Sequence, residues 1–197
     1  MKYNKILVSK GYSQVHGIDY NDTFAPVAKM YSIRLALAII ASKQWKVHHM
    51  DVKCAFLNGD MNEYIYMKKP KFFVSNPYLV RRLRKSLYGL KQAPKAWYAE
   101  IDGFLLSYNF VWCNSDTDFY MKLIHGSLMI IFLYVDDLLI TGISKKEIPS
   151  LKDAMNHAFT MTDLGLLSQF LGLQNLSIPT WNKITSVQVY FRSAQQV

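Results

Sequence analysis

Tyr134-Val135-Asp136-Asp137 places two carboxylates between two apolar runs, Leu128 to Val135 and Leu138 to Thr141. Those runs read as the strands of a β-hairpin with the acids at its tip. A two-residue turn chosen for backbone reasons favours Asn-Gly or Asp-Gly, because both central residues need positive φ. Asp-Asp meets that need poorly and sets like charges side by side. Their repulsion raises one pKa unless a cation satisfies both, and a divalent metal is the natural compensation. The plainer alternative is an ordinary solvated turn. A third carboxylate, Asp51, ends an expected strand from Trp45 to Asp51, where a rigid element can present a reactive group to a loop. Taken singly, Asp51 also suits a turn or cap. Asp51 and Asp136 together could hold two Mg2+ ions about 3.5–4 Å apart, the clamp of in-line phosphoryl transfer.

These acids need a scaffold. Ile6 to Ser9 is a short strand candidate, followed by a turn-rich loop through Gly11, Gly17 and Asp19 to Pro26. Ser32 is the expected cap of a helix over Ile33 to Ser42, apolar nearly all round and therefore buried. Cys54 to Asn58 reads as a short helix ended by Asn58-Gly59. Residues 68–82, with Pro70, Pro77 and several basic residues, read as an exposed loop. Pro94 suits the first turn of a helix whose Trp97, Ile101, Phe104, Leu105 and Tyr108 share a face. A further amphipathic helix is expected over Ser144 to Phe159, with Ile148, Leu151, Met155 and Phe159 buried. The expected class is α+β, with helices on one face of an antiparallel sheet.

With 23 Lys and Arg against 14 acidic residues, the 197-residue chain carries a formal charge of +9. That excess suits a polyanion, nucleic acid first and an anionic membrane second, although it also serves plain solubility. The longest unbroken apolar runs, Leu128 to Val135 and Leu35 to Ala41, fall far short of the roughly 18–20 residues of a membrane span. Cys54 and Cys113 cannot build a disulfide framework, which fits a reducing compartment. His48 and His49, adjacent on a strand, would point to opposite faces, and no histidine shows ligand spacing.

Several runs resemble motifs of the copia-type (Ty1/copia) retrotransposon reverse transcriptases. Met50-Asp51-Val52-Lys53-Cys54-Ala55-Phe56-Leu57-Asn58-Gly59-Asp60 is similar to their first catalytic motif. Ser86-Leu87-Tyr88-Gly89-Leu90-Lys91-Gln92-Ala93-Pro94-Lys95-Ala96-Trp97-Tyr98 resembles their template- and nucleotide-contacting motif. Tyr134-Val135-Asp136-Asp137 matches the metal-binding hairpin of reverse transcriptases at large. Gly17-Ile18-Asp19-Tyr20, Thr23-Phe24-Ala25-Pro26-Val27 and Asp163-Leu164-Gly165 follow the family in the right order, from about Tyr3 to Gln174.

The resemblance implies a reverse-transcriptase palm with partial fingers, acting on an RNA or DNA template-primer and deoxynucleoside triphosphates within a Pol polyprotein. It implies Asp51, Asp136 and the Val52 carbonyl as ligands to two Mg2+ ions, which Mn2+ could replace, with Asp137 in support. The amides of Cys54 and Ala55 would meet the triphosphate. Phe56 would lie under the sugar, although core packing is its plainer role, and Tyr88 and Gly89 would line the nucleotide pocket.

The departures are local. Ile6 stands where the family has an arginine directed at the triphosphate. The expected division is 1–174 as the polymerase core, incomplete upstream and without a full thumb, and 175–197 as a divergent tail. Ser186-Val187-Gln188-Val189-Tyr190-Phe191, with suitable codons read one base over, could spell Gln-Cys-Lys-Tyr-Ile, so a frameshift is the expected origin of that tail. The alternatives are a non-catalytic remnant that only binds nucleic acid, a palm-fold nucleotide cyclase and a basic structural protein.

Overall fold

Six strands form one antiparallel sheet in a computed structural model that describes residues 7–68, 79–142, 146–170 and 173–174. They are β1 (Val47–Val52), β4 (Val111–Cys113), β5 (Asp116–Ile124), β6 (Ser127–Tyr134), β7 (Asp137–Gly142) and β8 (Met161–Leu166). Their order is β4-β5-β6-β7-β1-β8. Two ribbons stand apart from the sheet, β2 (Tyr66–Lys68) with β3 (Val80–Arg82) and β9 (Gln169–Phe170) with β10 (Leu173–Gln174). The helices are α1 (Met30–Ser42), α2 (Ala93–Ser107) and α3 (Glu147–Ala158).

The core lies on both faces of the sheet because β6 and β7 are apolar on both. Met129, Ile131 and Leu133 point to one face, where they cluster with Trp97, Ile101 and Leu105 of α2 and Ile148, Leu151 and Met155 of α3. Ile130 and Phe132 point to the other, clustering with Ile33, Ala36 and Ile40 of α1 and with Phe170. A strand apolar on both sides needs cover on both. The expectation of helices on one face therefore holds for α2 and α3 and is corrected for α1. Lys152 of α3 donates to His48 Nδ1 at 3.1 Å and to Asp163 Oδ2 at 2.8 Å, fastening that helix to β1 and β8.

Helix α1 departs from expectation in two further ways. It starts at Met30 with Lys29 as the capping residue rather than Ser32. The Lys29 N–H donates to Asp116 Oδ2 at 3.0 Å, so a carboxylate from β5 satisfies one of the free donors at the helix start. Its burial is one-sided: Tyr31, Leu35 and Ile39, spaced one turn apart, are exposed. Residues 7–10 are irregular rather than a strand, while Ile6 lies outside the described residues. So do residues 69–78 of the expected loop, Ser144, and the tail 175–197; the flanks of that loop pair as β2 and β3. Strands β4 and β5 answer to no expectation from the sequence, because polar Asp116, Thr117 and Asp118 interrupt the apolar pattern at their junction.

Asp118 on β5 is only 2% exposed, and its Oδ2 has no hydrogen-bond partner. Burial, reinforced by the charges of Asp116 and Asp102, pushes its carboxyl up to about 7. An unfolded aspartate loses its proton near pH 4, whereas folded Asp118 keeps it to about 7. Stability therefore falls as pH rises through that window and is flat above it. Asp118→Asn should remove the dependence, gaining on the parent by roughly 1.4 kcal/mol per pH unit across the window at most. Urea unfolding at pH 5 and pH 8 measures it. An equal difference between variant and parent at both pH values would contradict the assignment.

Candidate active site

The β6–β7 hairpin turns through Val135 and Asp136, since Tyr134 pairs with Asp137. Asp137 is thus the first residue of β7, and the tip is Val-Asp rather than Asp-Asp. Val135 has φ 57°, a left-handed conformation that is costly for a β-branched side chain. The neighbouring β5–β6 turn uses His125 and Gly126, both at positive φ and compatible with the ordinary hairpin geometry. The strained turn is gripped from two sides. The Trp97 indole N–H donates to the Val135 carbonyl at 2.6 Å, and the Val52 N–H donates to the Asp136 carbonyl at 2.8 Å.

That second bond brings the end of β1 beside the turn. Asp51 pairs directly with Asp137, so their side chains project to the same face. Asp136 directly precedes Asp137, so three carboxylates lie near one end of the hairpin, although among the described residues they form no ready-made three-ligand cluster. Burial raises the Asp136 carboxyl above the usual range, and the charges of Asp137 and Asp51 push the same way. Among the described residues, neither Asp51 nor Asp136 has an ion-pair partner. Asp137 does interact: His49 Nε2 lies 2.7 Å from its Oδ1. Sequence pattern alone does not single out His49, yet the signal was present, because a residue two positions before Asp51 on a strand shares its face. His48 and His49 do point to opposite faces, one to Lys152 and the other to Asp137.

After β1 the chain passes Cys54 at φ 54° into a 3-10 turn, Ala55–Asn58. Among the described residues, the N–H groups of Cys54 and Ala55 donate to no protein acceptor. Successive free amides at such a left-handed step form a concave anion-binding nest. Phe56 on that turn meets Tyr88 with ring centroids 5.0 Å apart, and it also packs against the core. Burial raises the Tyr88 phenol, and nearby Cys54, Asp136 and Asp51 push the same way. Asp51, Val52, Cys54, Ala55, Phe56, Tyr88, Asp136 and Asp137 thus border one region. A cavity of about 50 Å³, lined in part by Phe56, Pro94, Trp97, Asp118 and Val135, adjoins it through Phe56.

Gly89 carries a packing constraint of its own besides the role its motif implies. It has φ 88°, and a Cβ there would come within 2.2 Å of the Ser9 carbonyl oxygen. Glycine is thus required by the segment 9–14 packed behind the Tyr88 loop. A Cβ on Gly11 would likewise clash with the Gly89 carbonyl, and Ser9 N–H donates to the Tyr88 carbonyl at 2.7 Å. Gln14 and buried Gln92 extend the seam with a 3.0 Å side-chain hydrogen bond.

The family model described as "Reverse transcriptase (RNA-dependent DNA polymerase)" matches residues 1–193. The chain belongs to the reverse transcriptase family. The matched span continues past residue 174 into the tail. The chain is 42% identical over 187 residues to the "Retrovirus-related Pol polyprotein from transposon TNT 1-94" of Nicotiana tabacum, covering 93% of this chain and 14% of that one. It is 40% identical over 181 residues to the "Retrovirus-related Pol polyprotein from transposon RE1" of Arabidopsis thaliana, covering 91% and 12%. The "Putative transposon Ty5-1 protein" of Saccharomyces cerevisiae is 36% identical over 147 residues, covering 74% and 48%. These relatives bear out the copia-type resemblance of the motifs, and the chain spans only 12–14% of the two plant polyproteins. No solved structure matches.

In this reverse transcriptase domain, Gly89→Ala should displace the segment 9–14 or distort the Tyr88 loop. The positive φ alone costs about 1–2 kcal/mol, and the clash adds to it. Thermal unfolding should show a loss of several degrees, at about 2–4 °C per kcal/mol. An unchanged melting temperature would mean that the seam is not part of the folded unit.

Proposed function

We propose that the chain carries an RNA-directed DNA polymerase site of palm type, with the sheet, α2 and α3 as palm and residues 7–30 with the β2–β3 ribbon as partial fingers. One observation carries this reading. Asp51 lies opposite Asp137 on paired strands, with Asp136 held beside them by Val52 and no cation paired to Asp51 or Asp136 among the described residues. The donor set fits Mg2+. Among the described residues, no three ligating side chains form a cage of their own. That suits an ion held by one or two carboxylates and completed by substrate phosphates and water. Asp51, Asp136 and the Val52 carbonyl would hold two Mg2+ ions, with Mn2+ as an alternative. When bound, the ions supply positive charge that favours the 3′-hydroxylate and the departing pyrophosphate.

The chain's own residues do the rest. The free amides of Cys54 and Ala55 receive triphosphate oxygens. Phe56, braced against Tyr88, occupies the space a ribose 2′-hydroxyl would need. Val135 and Asp136, fixed through their carbonyls, keep the carboxylate from drifting as charge moves in the reaction. The formal charge of +9 supports binding of a template-primer of RNA or DNA. The remainder of a Pol polyprotein would be the natural covalent partner.

Primer extension on an RNA template with Mg2+, comparing the chain with Asp136→Asn, tests the proposal. Extension that falls by at least about 10²-fold in the variant is the expected result, on the scale of losing one preorganised charge contact. Salt-sensitive template-primer binding without Asp136-dependent extension would favour the non-catalytic remnant.

A further inference from the structure

Asp163-Leu164-Gly165 follows the other motifs in order, yet it has no part in the site described so far. It forms a bulge on the edge strand β8. Asp163 pairs with Met50 and Gly165 with His49, so Leu164 is an extra residue with no partner on β1. Without the bulge, Leu164 would stand opposite His49 and on its face; with it, a glycine takes that place. Gly165 has φ 79°, which a residue with a side chain adopts only at a cost. Asp163 locks the bend. Its Oδ1 accepts from the Gly165 N–H at 2.9 Å and its Oδ2 from Lys152 of α3 at 2.8 Å. Beside this bulge the His49 ring reaches across the β1–β7 pair. His49 pairs with Leu139, so Asp137 is its diagonal neighbour, and His49 Nε2 lies 2.7 Å from Asp137 Oδ1. Buried Phe170 stands edge-on to the ring, 6.0 Å between centroids, and limits where it can turn.

We propose that His49, seated by this bulge, is a positioning residue that occupies Asp137 and so leaves the metal ions to Asp51 and Asp136. A carboxylate only accepts, so the contact places a proton on His49 Nε2. One Asp137 oxygen is thereby engaged, while Asp51 opposite it and Asp136 before it have no ion-pair partner among the described residues. Released, Asp137 would add a third carboxylate to the donors near the ions. Ligand charge count is one of the quantities that sets the affinity of oxygen-donor sites. The inference rests on the metal part of the proposed function, and the hydrogen bond itself can be read without any reaction.

Mn2+ titration of the full chain, followed through the electron paramagnetic resonance of the free ion, tests it. His49→Leu should tighten Mn2+ binding at least about tenfold, the scale on which groups behind the ligands act on metal affinity. His49→Gln, which keeps a donor, should restore the parent's binding. His49→Leu/Asp137→Ala should lose the gain, and because it carries the same leucine, altered folding cannot mimic that pattern. Gly165→Val should shift binding in the direction of His49→Leu. A second measurement needs no metal. The parent should show a slowly exchanging His49 Nε2–H proton by nuclear magnetic resonance, and Asp137→Ala should remove it. Unchanged or weaker Mn2+ binding by His49→Leu, a gain that survives Asp137→Ala, or a freely exchanging Nε2–H proton in the parent would overturn the proposal. Parent-like binding by Gly165→Val would overturn the part given to the bulge. If Asp51→Asn binds Mn2+ as the parent does, the proposed metal site fails, and the Nε2–H proton alone decides whether His49 holds Asp137.

Discussion

The grip on the Val135–Asp136 turn is the constraint from which the rest of the site follows. A left-handed valine at a hairpin tip is unfavourable on its own. It persists because two donors from different elements take its carbonyls: the Trp97 indole from α2 and the Val52 amide from the end of β1. Trp97 can reach only because α2 is buried against the sheet through Ile101 and Leu105. Val52 can reach only because β1 is paired along β7 in the register that sets Asp51 opposite Asp137. Core packing, strand register and turn conformation are thus one mechanical unit. Its output is the position of Asp136.

Three carboxylates lie near that output, and the protein treats them differently. Asp137 is engaged by His49, whose ring stands edge-on to Phe170, which in turn contacts Tyr134. Asp51 and Asp136 have no such partner among the described residues, and Asp136 is held partly buried with its carboxyl raised. Sequence-adjacent Asp136 and Asp137 therefore have different tasks. Asp137 is tied to His49, while Asp136 and Asp51 are, in the proposed reading, the ones that meet cations brought with a substrate. The second seam, between the segment 9–14 and the Tyr88 loop, fixes the opposite wall by a close backbone approach at Gly11 and Gly89.

Much of this was legible from residues alone where one periodicity dominated. The apolar runs around Asp136, the helical face from Trp97 to Leu105 and the Ile148, Leu151, Met155 spacing all gave the right elements. Legibility failed where tertiary contacts replace local signals. The true start of α1 depends on Asp116, distant in sequence, and β5 opens with acids that only a folded environment can accommodate. The exposed stripe of Tyr31, Leu35 and Ile39 could not be told from a buried one, since composition does not say which side of a helix finds a neighbour. The ordered motifs pointed to residues that the fold gathers around one hairpin, and Gly89 also answers to a close approach by Ser9. His49 and the Trp97 donor went unseen because their importance lies in what they hold.

The central claim is that Asp51 and Asp136, and not Asp137, are the carboxylates open to metal. Crystals of the chain grown with Mn2+, a template-primer and a non-hydrolysable deoxynucleoside triphosphate would test it through anomalous scattering. The account predicts two peaks about 3.5–4 Å apart, both reached by Asp51 and Asp136, with the His49–Asp137 contact intact. Peaks coordinated by Asp137 in place of Asp136, or metal bound only away from the hairpin, would contradict it.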